Sequence, residues 1–157
     1  MEKHTIEWNY NGYDYVFHTL DSLFSYKQVD MGTRKMIEHI DLQPDSKVLD
    51  LGCGYGVVGI WAAHMIGAEK VIMSDVNVHA LKMAAENVKV NNLDKIHIIH
   101  SNGFDSIQDV DFTLILSNPP YHTDFSVAKG WMVGNGNKAI WLVQKQNTNC
   151  VWWSEVD

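Results

Sequence analysis

The chain has 157 residues, 46% of them hydrophobic and 20% charged, which is the composition of one globular domain with a buried core and excludes wholesale disorder. A net charge of −7, from 12 Lys and Arg against 19 Asp and Glu, argues against a purely electrostatic nucleic-acid binder, yet leaves room for an enzyme that grips one nucleotide in a local pocket. No apolar run approaches the ~20 residues of a membrane span, Met1–Tyr10 has no signal-peptide core, and two cysteines, Cys53 and Cys150, make no disulfide scaffold, so a cytoplasmic protein without membrane contact is expected.

In chain order, the first segment is Thr5–His18, which alternates loosely and carries Trp8, Tyr10, Tyr13, Tyr15 and Phe17 around an Asn11-Gly12 turn. It predicts a β-hairpin within an N-terminal flap over residues 1–30. Asp30-Met31-Gly32-Thr33 then precedes a helix over 34–40, with Met36, Ile37 and Ile40 on one face and Gln43-Pro44-Asp45 as the stop. Short apolar runs and helical patterns follow in turn: a strand over 47–51, a helix over 57–66, a strand over 70–75, a helix over 79–91, a strand over 95–100 and a strand over 112–117. This alternation predicts an α/β fold, a Rossmann-like, doubly wound, mostly parallel sheet with helices on both faces. Chemistry is then sought just after the carboxyl end of each strand.

After the first of these parallel strands comes Asp50-Leu51-Gly52-Cys53-Gly54-Tyr55-Gly56-Val57-Val58-Gly59. Glycines here permit a tight turn and close approach of a ligand. Gly54, Gly56 and Gly59 fit the spacing of a dinucleotide fingerprint. Gly52 and the strand-ending Asp50 do not belong to it: a carboxylate there repels a pyrophosphate and attracts a cationic amino group. A phosphate-binding P-loop is excluded because no Gly-Lys-Ser/Thr follows. The second strand ends in Asp75, which can accept the hydroxyls of an adenosine ribose or serve, with Asn77, as a helix N-cap. The third ends in Ser101-Asn102-Gly103-Phe104-Asp105, where a polar side chain can meet an adenine edge.

The fourth strand ends in Ser117-Asn118-Pro119-Pro120-Tyr121. Two prolines fix φ and remove two N–H donors, so the carbonyls of Asn118 and Pro119 project rigidly. The Asn118 amide adds an oriented acceptor, and Tyr121 offers a flat face for stacking. The set suits a planar donor such as an exocyclic –NH₂ or a primary amide.

Taken together, Val48-Leu49-Asp50-Leu51-Gly52-Cys53-Gly54-Tyr55-Gly56, Asp75 and Asn118-Pro119-Pro120-Tyr121 resemble the class I S-adenosylmethionine-dependent methyltransferases. The resemblance is closest to their small-domain subgroup, which includes bacterial rRNA guanine-N2 methyltransferases. Phe24-Ser25 and Asp30-Met31-Gly32-Thr33-Arg34 look like the segment that precedes the sheet in that subgroup. The resemblance implies S-adenosyl-L-methionine as cofactor. Asp50 and the backbone of Gly52, Cys53, Gly54 and Gly56 would hold its methionine part, Asp75 its ribose and Asn102 its adenine, at a position where the family often has Asp. Phe24 and Gly32 would line the cofactor side of the cleft. Asn118, Pro119, Pro120 and Tyr121 would form the catalytic turn that holds the target amine. The implied activity is methyl transfer to an RNA base, guanine N2 of rRNA. Protein-glutamine N5 and adenine N6, which use the same turn, stay open as targets, as does a catalytically dead fragment that binds the cofactor only.

Eight histidines show no metal-ligand spacing, so no metal site is expected. Cys53 reads as packing beside the cofactor, Met36, Met65, Met73 and Met83 as core, and Lys27, Arg34 and Lys35 as solvated surface. Residues 1–130 read as the domain. In 131–157, Gly134, Gly136, Asn135 and Asn137 oppose a helix, 139–143 can pass as a strand, and Trp131, Trp141, Trp152 and Trp153 crowd the end. Completing the sheet beyond Tyr121 takes roughly 60–70 residues at ~30 per strand–helix unit, and only 122–157 remain. The fold is therefore expected to be incomplete at the C-terminus, and the tail to reflect a shifted reading frame or a truncated gene, against a lineage-specific short tail.

Overall fold

A computed structural model describes residues 1–109 and 111–117, together with four two-residue strands beyond them. The chain opens with β1 (Lys3–Tyr10) and β2 (Tyr13–Leu20), an antiparallel hairpin paired along its full length. Asn11 (φ 48°) and Gly12 (φ 82°) both sit at positive φ, as the tightest hairpin turns demand. Ile6, Tyr15 and Phe17 are buried, so one face of the ribbon packs into the domain.

The first helix, α1 (Met31–Glu38), starts earlier than the 34–40 expectation, because the Asp30 side chain caps it by accepting from the Thr33 N–H at 3.0 Å. Then come β3 (Val48–Leu51), α2 (Val57–Ile66), β4 (Val71–Asp75), α3 (Val78–Val90), β5 (His97–His100) and β6 (Leu114–Leu116). All six lie where the periodicity puts them. The strands pair in parallel in the order β5-β4-β3-β6. The chain moves outward from β3 to β5, then returns to the other side of β3. The switch point therefore lies between β3 and β6, where such sheets bind ligands.

Side chains alternate across the sheet. Val48, Val71, Met73, Leu114 and Leu116 join the core that holds Met36 and Ile37 of α1, Ile60 of α2, Ala84 of α3 and the hairpin's Phe17. Leu49, Leu51, Ile72 and Ile115 face the other way, against Ile107 and Phe112. The expected helix layer on this second face has no member among the described residues, because the β5–β6 crossover runs as turns and loop. Lys47 fastens the amino end of the sheet: its ammonium meets Asp109 at 2.7 Å and Asp111 at 2.5 Å and lies 5.3 Å from the Phe112 ring centroid. Of the methionines read as core, Met36, Met73 and Met83 are buried, whereas Met65 is exposed on the last turn of α2.

Two asparagines of α3 dock the hairpin. Asn87 accepts from the His18 N–H at 2.7 Å and donates to the His18 carbonyl at 3.0 Å and the Tyr55 carbonyl at 2.8 Å. One turn on, Asn91 accepts from the Val16 N–H at 3.2 Å and donates to the Val16 carbonyl at 2.8 Å. Each carboxamide thus pairs with both backbone groups of one β2 residue, as a neighbouring strand would.

The further strands are β7 (Ala139–Ile140), β8 (Val143–Gln144), β9 (Val151–Trp152) and β10 (Glu155–Val156). They pair antiparallel, β7 with β10 and β8 with β9, and the strand expected over 139–143 falls on β7 and the start of β8. Among the described residues no helix is long and apolar enough to cross a membrane.

Candidate active site

A cavity of about 410 Å³ opens at the switch point, within the size range of small-molecule sites. Every described strand of the parallel sheet contributes from its carboxyl end: Asp50 to Gly56 after β3, Asp75 to Asn77 after β4, Ser101 to Gly103 after β5 and Ser117 after β6. Residues 22–25, Asp30 and Thr33 close the remaining side.

The glycine loop holds its shape through its own backbone. Cys53 N–H donates to the Ser74 carbonyl at 2.8 Å and Gly56 N–H to the Cys53 carbonyl at 3.0 Å. Gly52, Gly54 and Gly56 have φ of 72°, 56° and 108°, a run of left-handed positions that side-chain-bearing residues rarely take. Asp75 locks this loop to the next strand. One of its oxygens accepts from Gly54 N–H and the other from Asn77 N–H, both at 2.9 Å. Each carboxylate oxygen keeps acceptor capacity for a ligand hydroxyl. The N-cap of α3 is Asn77, which accepts from His79 N–H at 2.9 Å. Asp75 therefore braces the loop, and the capping role falls to its neighbour.

Asp50 does a second job that sequence reading missed. Gly56, at the N-cap of α2, has no side chain to offer. The Asp50 carboxylate, reaching over from β3, accepts from Gly59 N–H at 2.8 Å and caps the helix from a distance. A Cβ at Gly59 would overlap the Met73 side chain and stand 3.1 Å from Asp50 Oδ2. Gly59, third in the fingerprint spacing, thus serves close helix–sheet packing.

Burial pushes the Asp50 carboxyl up to about 7, and the charge of Asp75 pushes the same way, against the pull of the Gly59 N–H. The native carboxyl thus holds its proton at pH values where the unfolded one, titrating near the ordinary 3.8, has lost it. Below the ordinary value both states are protonated and the group costs nothing. As pH rises toward 7 the unfolded state becomes favoured, so stability falls. Urea midpoints measured from pH 4 to pH 8 should decline across that window, and Asp50→Asn should flatten the decline.

Burial likewise drives the Cys53 thiol well up, away from the thiolate form. Tyr55 is buried, and its hydroxyl donates to the Ser25 carbonyl at 3.0 Å while its own carbonyl accepts from Asn87. It pins the 22–25 segment to the glycine loop.

Of the residues expected at the site, Phe24, Asp50, Gly52, Cys53, Gly54, Gly56, Asp75 and Asn102 line this one cavity. Phe24 is half exposed at its rim. Gly32 does not line it: it is buried in α1, while Asp30 and Thr33 line the cavity in its place. Asn118, Pro119, Pro120 and Tyr121 lie outside the described residues. Away from the cavity, Glu2, His4 and Asp21 bring possible ligand atoms within 4.8 Å of one another. Glu2 N–H donates to the Asp21 side chain and Asp21 N–H to the Glu2 carbonyl, so this group closes the open end of the hairpin.

The electrostatics of the cavity are one-sided. Asp30, Asp50 and Asp75 line it, and no Lys, Arg or His does among the described residues. Such walls favour a cation and disfavour a free phosphate or pyrophosphate.

A family model described as "Methyltransferase small domain" matches residues 14–146. The chain is 32% identical over 118 residues to a ribosomal RNA small subunit methyltransferase C from Pseudoalteromonas atlantica, across 73% of this chain and 34% of that protein. It thus spans about a third of that relative's length. Among solved structures, a 16S rRNA N2 methyltransferase from T. thermophilus, in complex with AdoMet and guanosine, superposes with a TM-score of 0.77 at 23% identity, over 90% of this chain and 41% of that one. A tRNA (uracil-54, C5)-methyltransferase from Pyrococcus abyssi, in complex with S-adenosyl-L-homocysteine, follows with a TM-score of 0.60 at 23% identity, over 88% of this chain and 34% of that one.

Proposed function

The chain belongs to the methyltransferase small-domain family, and from that premise we propose that it transfers a methyl group from S-adenosylmethionine to an exocyclic amine, the N2 of guanine in rRNA. The observation that carries the reading is the acidic cavity at the switch point, with Asp50 and Asp75 at adjacent strand ends and no Lys, Arg or His among its described lining residues. S-adenosylmethionine supplies a methyl group on a positively charged sulfur and carries an ammonium as well, so its charge suits these walls. Asp75, with acceptor capacity left on both oxygens, suits the ribose hydroxyls. Asp50 suits the ammonium, whose charge would draw the carboxyl back to its ionised form. The rRNA substrate is the one named for the relatives, and a cytoplasmic protein fits that reading.

Asn118, Pro119, Pro120 and Tyr121 are assigned the catalytic turn. The Asn118 side chain and the Pro119 carbonyl accept the two N–H bonds of the target amine and so aim its lone pair at the methyl group. Tyr121 stacks on the base. The gain comes from positioning and from stabilising positive charge as it develops on the nitrogen. No strong base is needed, since the proton can leave after transfer.

The test pairs two measurements. Calorimetric titration with S-adenosylmethionine should show binding to the wild-type chain and to Asn118→Ala alike. Radiolabelled methyl transfer to rRNA should occur with the wild type and drop by at least about a hundredfold in Asn118→Ala, the loss of one directed hydrogen bond at the reacting nitrogen. Transfer to a release factor in place of rRNA would overturn the substrate assignment. Loss of cofactor binding in Asn118→Ala would make that residue structural.

A further inference from the structure

Among the described residues five serine and threonine side chains line the cavity, and four are engaged, as is the Tyr55 hydroxyl on the Ser25 carbonyl. Ser25 Oγ donates to the Gln28 carbonyl, Ser101 Oγ donates to the Gly103 carbonyl and accepts from Ser106 N–H, Ser22 Oγ points at the Met1 sulfur, and Thr33 has a partner of its own. The fifth, Ser117, is 1% exposed at the end of β6, and its Oγ has no hydrogen-bond partner among the described residues. A buried hydroxyl without a partner is costly, and such an atom in a cavity wall is explained by a ligand atom that satisfies it.

The chemistry of that atom follows from the walls. Carboxylates meet the cationic parts of a ligand, but no basic side chain among the described lining residues can meet an anionic part. An amino-acid carboxylate held here must draw on neutral donors. Resting on the cofactor reading above, we propose that the Ser117 hydroxyl donates to the carboxylate of bound S-adenosylmethionine, and that this contact selects the intact amino acid. Ser117 is thereby a binding residue distinct from the Asn118 turn that follows it.

Ser74 provides an internal contrast. It is fully buried with an unpartnered Oγ, one strand beyond β3, and does not line the cavity. Ser117→Ala and Ser74→Ala should each keep or raise the melting temperature of the ligand-free protein, because each removes an unsatisfied group. Only Ser117→Ala should lose affinity for S-adenosylmethionine, by about tenfold or more, the size of a hydrogen bond to a charged group. Its affinity for decarboxylated S-adenosylmethionine, which keeps the amine and the sulfonium, should match that of the wild type. Ser117→Cys, nearly isosteric but a weak donor, should repeat the loss if the alanine variant does not fold. Equal affinity of the wild type and the Ser117 variants for S-adenosylmethionine, or equal losses for both ligands, would overturn the proposal. Failure of the wild type to bind either ligand would instead sink the cofactor reading.

Discussion

Asp75→Ala should weaken binding of S-adenosylhomocysteine by at least about a hundredfold, as measured by calorimetry, the value of two hydrogen bonds to a charged acceptor. The loss has two sources. The carboxylate that would accept the ribose hydroxyls is gone, and so is the brace that receives Gly54 N–H and Asn77 N–H. With the brace removed, the left-handed run through Gly52, Gly54 and Gly56 keeps only its backbone bonds and the Asn87 contact at Tyr55. Asp75→Asn separates the two effects. A carboxamide can keep one acceptor bond to the loop but carries no charge, so its affinity should fall between the wild type and the alanine variant. Unchanged affinity in Asp75→Ala would show that the ribose is held elsewhere.

Asn87→Ala should destabilise the fold by about 3 kcal/mol, read as a shift in the urea midpoint. The figure reflects three backbone groups stripped of their partner, the His18 N–H, the His18 carbonyl and the Tyr55 carbonyl, at roughly 1–3 kcal/mol for each one left dry. Asn87→Asp should not rescue it. The carboxylate keeps the acceptor for His18 N–H, loses both donors and buries a charge. Since the Tyr55 carbonyl belongs to the glycine loop, this variant should also weaken cofactor binding, whereas a helix-surface change such as Lys82→Ala should do neither.

The alternation of strands and helices is legible in the sequence because buried parallel strands read as short apolar runs and α2 and α3 carry their own punctuation. Val57–Ile66 is found as read, and Asn77 and Asn91 bound the next helix. The loop residues at strand ends are legible for the same reason: the fold dictates where they meet. Two kinds of feature are not. Contacts between residues distant in sequence leave no local pattern, so Asn87 looks like one more polar helix residue although its partners are 69 and 32 positions away. Asp50 as the cap of α2 is hidden in the same way, because its partner Gly59 reads as part of a fingerprint. A small boundary error also propagates. Starting α1 at Met31 instead of 34 turns Gly32 to the core and leaves Asp30 and Thr33 on the cavity. Residues 22–25 have no periodicity to read; the pin from Tyr55 and the burial of Leu23 in the core set their place.

The paired asparagines of α3 carry one more consequence. An isolated hairpin leaves the outer rim of each strand bare, and a bare rim is a template on which another chain can add a strand. Along β2, Asn87 and Asn91 occupy the backbone groups of His18 and Val16 that such a chain would use. A helix here keeps β2 from recruiting strangers, so the devices that dock the hairpin also guard against self-association and fibre growth.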